Sequence, residues 1–210
     1  MAADTIEPSD SAPSPSAANP RRQRILEAAR RCFAGDGFAS ATIIDVAKAA
    51  GVSRPLVYKY FGDKDGLIDA VLQSTFDEWA ALHARLSTPS DLTAAEALAR
   101  KFEASIEFVQ TRPVFRSILL HDAEVVVRGH LADLRRSRSV SFEATRTIVV
   151  AGVAAGEFRR DLDPDAIAAS LELLLFSLLQ RALGLQPELA LDRALVDTTL
   201  ALTLDGLRAS

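Results

Sequence analysis

Thr42 to Lys64 reads TIIDVAKAAGVSRPLVYKYFGDK, two short helical segments joined by a tight glycine turn. Thr42 is placed to cap the first segment, with Asp45 three residues on as the reciprocal partner of a capping box. Val46, Ala47 and Ala50 then form a small apolar face at helical spacing. Gly51 falls where the chain must turn sharply, and a left-handed backbone costs glycine little. Ser53 is expected to cap the second segment, and Pro55 sits in its first turn, where a missing N–H does no harm. Such a pair is a helix-turn-helix, a unit that lays its second helix in the major groove of DNA.

The second helix separates into faces. Val57 and Phe61, four apart, point inward, while Pro55, Leu56 and Lys59 fall on the opposite side. Ser53 and Arg54 at the N-terminal end can reach base edges or phosphates, and the hydroxyls of Tyr58 and Tyr60 suit phosphate oxygens. Lys64 begins the next helix, where a cation opposes the helix dipole by roughly 0.3–1 kcal/mol. A bound DNA phosphate would reverse that penalty. With Thr42, these residues are the DNA-contact candidates. From Arg21 to Lys64, nine basic residues face four acidic ones, a net charge of +5 in a chain whose total is −4. A basic patch on an acidic protein is the footprint of a DNA-binding head on a separate body. A three-helix structural bundle is the alternative, and the charge weighs against it.

These residues resemble the tetracycline-repressor (TetR) family of transcriptional regulators. The pattern runs from Gly37-Phe38 through Thr42 and Val46-Ala47 to Ala50-Gly51-Val52-Ser53, then Val57 to Phe61, and last Lys64 and Leu67. Two positions depart from it: Ala41 lies where a second Thr is frequent, and Pro55 replaces a small residue. The match covers Arg22 to Leu72. The resemblance implies three DNA-binding helices followed by a regulatory core of six, with the last two forming a four-helix bundle across a dimer axis. It also implies a mechanism. A homodimer binds double-stranded DNA at an inverted-repeat operator. A small-molecule effector enters the core, shifts the helix beginning at Lys64, and releases the DNA.

Length and composition fit that layout. At 210 residues, 49% apolar and 25% charged, the chain is that of an ordinary globular protein. One cysteine, Cys32, excludes an internal disulfide and reads as a small buried hydrophobe. Residues 1–20, rich in Ala, Ser and Pro without an apolar core, read as a disordered tail rather than a signal peptide. No apolar run reaches the ~18 residues that span a membrane, and a cytoplasmic location is expected. The domains are then a tail at 1–20, a DNA-binding domain at 21–66 and a ligand-binding and dimerisation domain at 67–210.

The fold class is all-α. Beyond the head, helices are expected over 64–86, 93–112, from Pro113 to an ambiguous end near Gly129, and over 131–155, 164–185 and 189–207. On the helix over 164–185, Leu171, Leu173, Leu174, Leu175, Phe176, Leu178 and Leu179 cover nearly the whole circumference, so it is buried on more than one side. The dimer-interface candidates are Leu171, Leu175, Leu178, Leu191, Leu195, Thr198 and Leu202. The ligand-pocket candidates are Phe76, Trp79, Phe102, Ile106, Phe115 and Phe142, with core packing the alternative for each. No basic residue alternates among them, so a hydrophobic or aromatic effector fits better than a sugar phosphate. His83 and His121 have no partner spacing that marks a metal site, and Asp122 and Glu124 read as solvated surface. No metal, no cofactor and no catalytic constellation is expected. The competing functional readings are a ligand-dependent activator, a carrier or enzyme for a lipid-like ligand, and an oligomeric scaffold.

Overall fold

The structure is a computed structural model that describes residues 19–87, 91–115, 123–184 and 191–209. Within them lie eight helices: α1 (Pro20–Ser40), α2 (Ile43–Ala50), α3 (Arg54–Phe61), α4 (Lys64–Leu86), α5 (Ala94–Thr111), α6 (Ala123–Ala155), α7 (Pro164–Ala182) and α8 (Arg193–Leu207). A helical turn at 113–115 follows α5. One isolated antiparallel bridge, Phe158 to Arg208, ties the C-terminus to the α6–α7 loop. Most of the tail, His121, Asp122, the side chain of Glu124 and the end of the helix that Pro113 begins lie outside the described residues.

The head follows from its capping residues. Asn19 accepts hydrogen bonds from the N–H groups of Arg21 and Arg22, and Pro20 occupies the first helical position. Gly37, at φ 80°, breaks α1 so that Phe38 folds back onto Phe33, ring centroids 5.0 Å apart. Thr42 and Asp45 form the expected capping box, and Gly51 closes α2 at φ 64°. At the head of α4, Asp63 accepts the Gly66 N–H at 2.7 Å. A side chain at Gly66 would collide with the carbonyl oxygen of Phe61, so α3 and α4 can meet this closely only around glycine.

Two apolar cores result, and α4 serves both. In the head, Ile25, Phe33, Val46 and Val57 pack around Leu67, Val71, Leu72 and Phe76 of α4. In the body, Leu98 and Phe102 of α5, Val149 of α6 and Leu171 and Leu175 of α7 enclose Phe158, and Trp79 of α4 joins them. Two neighbouring residues after α5 divide in the same way. Val114 is buried in the head core and Phe115 in the body core.

Three boundaries differ from the sequence expectation. Gly129 lies inside α6, which starts at Ala123 and runs for 33 residues. One interior glycine costs only about 1 kcal/mol relative to alanine, too little to end a long helix. Helix α7 stops at Ala182, where Leu183 caps it and Gly184 turns at φ 70°. Helix α8 starts at Arg193 because the Asp192 carboxylate accepts the Leu195 N–H at 2.7 Å. Burial also redistributes the leucines of α7. Leu171, Leu175 and Leu178 are buried in the body core, whereas Leu173 is 70% exposed and Leu174 and Phe176 are also outward.

The body core holds polar groups. Lys101 is fully buried and donates to Glu172 at 2.8 Å and to Ser141 at 3.2 Å. Glu172 also accepts from Ser141 at 2.8 Å and Thr145 at 2.5 Å. Burial lowers the Lys101 pKa, and the Glu172 charge opposes that shift. His83 is equally buried, its ring 4.3 Å from that of Trp79 and tilted 55° to it, and neither ring nitrogen has a hydrogen-bond partner among the described residues. Burial, aided by the charge of Lys101, pushes its pKa down to about 3. Folded His83 therefore stays neutral while the unfolded chain binds a proton below about pH 6.5. Its contribution to stability is present above pH 6.5 and is lost between 6.5 and about 3 as the pH falls. His83→Leu should raise Tm at pH 7 by removing two unpaired buried nitrogens, worth about 1–3 kcal/mol. It should also flatten the acid limb of stability by up to about 1.4 kcal/mol per pH unit. Urea melts of both proteins between pH 4 and 7 measure this, and parallel acid limbs would refute it.

Candidate nucleic-acid interface

Helix α3 stands on the head core through Val57 and Phe61. Ser53, Arg54, Pro55, Tyr58 and Lys59 are all exposed on it or at its start. Ser53 occupies the N-cap position, but its side chain makes no capping hydrogen bond. The expectation that it caps α3 is thus corrected, and its hydroxyl faces outward beside Arg54. Leu56 and Tyr60 are half-buried against the head core, so they lean inward more than the candidate set supposed.

Thr42 and Lys64 hold the head together. The Thr42 hydroxyl donates to Asp45 at 2.5 Å and accepts the Asp45 N–H at 3.3 Å. That hydrogen bond, with a second from the Thr42 backbone, holds the Asp45 carboxyl below its usual range. Lys64 donates to the carbonyl of Ala39 at 2.7 Å, in the last turn of α1. A cation at a C-terminal helix end is favourable, so the chain itself offsets the dipole penalty that a DNA phosphate was expected to relieve. Two N–H donors remain on Lys64. Arg22 adds a residue outside the candidate set, with its guanidinium 5.0 Å from the Phe61 ring at the end of α3.

A junction joins head to body. Arg30 of α1 donates to Ser74 at 2.6 Å and to Glu78 at 2.5 Å, both on α4. The other oxygen of Glu78 accepts from Arg112 at 2.8 Å. Burial raises the Glu78 pKa, and the hydrogen bonds from Arg112 and Arg30 outweigh it, leaving a net lowering. Arg112 in turn lies over the Phe108 ring at 4.0 Å, and Phe108 meets Trp79 and Phe115 edge-on at 5.2 and 5.8 Å.

Trp79 and Phe115 are also walls of a cavity of about 560 Å³ between α4, α6 and α7, which Phe76 and Phe142 line as well. Phe102 and Ile106 do not line it. Phe102 is enclosed in the body core, and Ile106 borders a separate groove beside Arg193. The cavity includes Arg135, Arg138 and Glu172, which the sequence reading left out. Glu172 interrupts the run LELLLF, and that charge within an apolar helix was the available signal. Nothing in the spacing of Arg135 and Arg138 marks them as pocket residues. No group of metal-binding side chains is found among the described residues, and none of their helices is long and apolar enough to cross a membrane.

Residues 25–71 match the family model for bacterial regulatory proteins of the tetR family. HbdR, a transcriptional regulator from Aromatoleum sp. strain CIB, is 39% identical over 28% of this chain and 26% of its own length. The chain therefore spans only about a quarter of that relative. The transcriptional repressor AcnR of Corynebacterium glutamicum is 28% identical over 76% of this chain and 80% of its own. The fold resembles the crystal structure of a TetR-family transcriptional regulator from Rhodococcus sp., at a TM-score of 0.71 and 25% identity. That similarity covers 90% of this chain and 99% of the other.

The basic residues of the head are expected to differ in role. Arg54→Ala is expected to relax base preference at one position of the bound site by about 1–3 kcal/mol. Lys59→Ala should weaken all sequences alike and reduce the slope of log affinity against log salt by about 0.9. Lys64→Ala should weaken DNA binding and also lower Tm, because the Ala39 carbonyl loses its donor. Fluorescence anisotropy at several salt concentrations, paired with thermal melts, measures all three. A uniform loss for Arg54→Ala across sequences would reassign that residue to phosphate.

Proposed function

With residues 25–71 forming a TetR-family helix-turn-helix domain on an all-helical body, we propose that the chain is a homodimeric transcriptional repressor. It binds an inverted-repeat operator and is released by a small-molecule effector. The carrying observation is α3 itself, whose outward Ser53, Arg54, Tyr58 and Lys59 make no side-chain hydrogen bond or ion pair among the described residues, while its inward Val57 and Phe61 hold the head core. The description of AcnR as a repressor supports repression over activation. DNA as partner implies a cytoplasmic protein, and no catalytic role is assigned.

Dimerisation rests on two arguments. One short recognition helix reads few base pairs, and a twofold pair reads two half-sites ~34–36 Å apart along the duplex. The outward apolar side chains for such contact are Leu173, Leu174 and Phe176 on α7 and Leu202, 73% exposed, on α8. Thr198 is exposed on α8 as well, while Leu191 and Leu195 are half-buried.

Release rests on the junction. A molecule in the cavity presses on Trp79 and Phe115, and both lead to Phe108, Arg112 and Glu78, which holds Arg30 of the head. Val114, buried in the head core beside Phe115, gives a second route. A shift of α4 then spoils the spacing of the two recognition helices.

Selection of bound duplexes from random sequence should enrich an inverted repeat carrying one dimer per site, and no enrichment would overturn the regulator reading. The Leu173→Glu/Leu202→Glu double variant should push the dimer toward monomer with its helical circular dichroism intact. Light scattering showing a wild-type monomer at micromolar concentration would end the dimer assignment.

A further inference from the structure

The cavity that serves the proposed effector has an uneven charge. Its walls are apolar and aromatic, but Arg135 and Arg138 of α6 line it too. Three residues apart on one helix, they share a face. Both are exposed, and neither has a carboxylate partner among the described residues. Other arginines of the same helix do have acids, with Arg136 on Asp77 and Arg146 on Asp165. The Arg138 guanidinium instead lies over the Phe176 ring, 5.5 Å from its centroid, and Phe176 lines the cavity.

The one acid among the described lining residues, Glu172, does not balance them. Both oxygens of Glu172 are engaged from behind, by buried Lys101 and by the hydroxyls of Ser141 and Thr145. Lys101 neutralises the Glu172 charge, so among the described residues the positive charge of the two arginines is uncompensated. An aliphatic or aromatic body placed against Phe76, Trp79 and Phe142 leaves its polar end to meet guanidinium. Guanidinium forks recognise carboxylates by paired hydrogen bonds, and the aromatic face beneath Arg138 steadies one fork. The volume, about 560 Å³, lies within the ~300–1,000 Å³ of small-molecule pockets.

We infer that the cavity takes an amphipathic anion, an apolar chain or ring bearing a carboxylate that Arg135 and Arg138 hold. This rests on the effector reading of the same cavity and narrows it. A neutral hydrophobic molecule would leave both guanidinium groups unmatched, and a cationic amphiphile would be repelled.

Calorimetry on the full chain without DNA tests the inference with five probes below their micelle concentrations: decanoate, 6-phenylhexanoate, decanol, 6-phenylhexanol and decyltrimethylammonium. Each carboxylate should bind at least ten-fold tighter than its alcohol, and the cation should bind weakest. Arg135→Ala/Arg138→Ala should erase the carboxylate preference and leave the alcohols unchanged. That last result also shows that the variant is folded and its cavity intact. Equal binding of acids and alcohols, tighter binding of the cation, binding of none of the five, or a preference that survives the double variant would each overturn the inference. Operator release is read separately by anisotropy. Release by alcohols alone overturns the anion inference and keeps the effector reading. Arginine-dependent carboxylate binding that leaves operator affinity unchanged supports the anion site and overturns the effector reading.

Discussion

The carboxylate of Glu78 is divided between two arginines from different parts of the chain, and the relation of head to body depends on that division. Arg30 reaches it from α1, at the back of the DNA-binding head, and Arg112 reaches it from the end of α5. Because Glu78 sits on α4, the helix that both cores share, a displacement of either arginine is felt along one rigid rod. The Arg30 Nε is itself buried without a partner, and the hydrogen bonds to Ser74 and Glu78 both come from Nη2. A group held in that way has little freedom to follow a moving α4 without giving up a contact.

Helix α4 was also the most legible element of the body. The sequence reading bounded it at 64–86, and the structure has the same bounds, with Asp63 at the N-cap and Ser87 at the C-cap. The head was legible for a related reason: local chemistry determines it. Thr42 with Asp45, Gly51, and the inward pair Val57 and Phe61 each state their role within four residues. The body was less so, because which face of a helix turns inward is decided by neighbours distant in sequence. Leu171, Leu175 and Leu178 cannot be told from Leu173 and Leu174 by composition when every side of α7 is apolar. Ser53 failed differently, since a serine at an N-cap position reads as a cap whether or not its hydroxyl turns back.

Charged residues were the hardest to place from sequence. Lys101 lies at helical spacing with Leu98, Phe102 and Ser105, a register that predicts burial, and only the encounter with Glu172 on α7 makes that burial tolerable. An unpaired ammonium there would be far too costly, while a paired and hydrogen-bonded one roughly breaks even against an apolar pair. The value of such a pair is in alignment. It fixes the register of α5 against α7, and through Ser141 and Thr145 it fixes α6 against both. Helices α6 and α7, two of the three that bound the cavity, are thereby locked against α5, while the rim at Arg135 and Arg138 is exposed.

That contrast between a locked floor and an exposed rim suits the effector release proposed above. Release of an operator by a factor of 100 requires about 2.7 kcal/mol of difference between the two states. Hydrogen bonds of the kind joining Arg30, Ser74, Glu78 and Arg112 contribute about 1 kcal/mol each in typical proteins, so disturbing three of them is of the required size. A stronger junction would hold the head against any ligand of ordinary affinity, and a weaker one would let it drift when the cavity is empty. The aromatic chain from Trp79 and Phe115 through Phe108 ends on Arg112. In the proposed release, a displacement in the cavity reaches by this chain the place where about 3 kcal/mol is enough to matter.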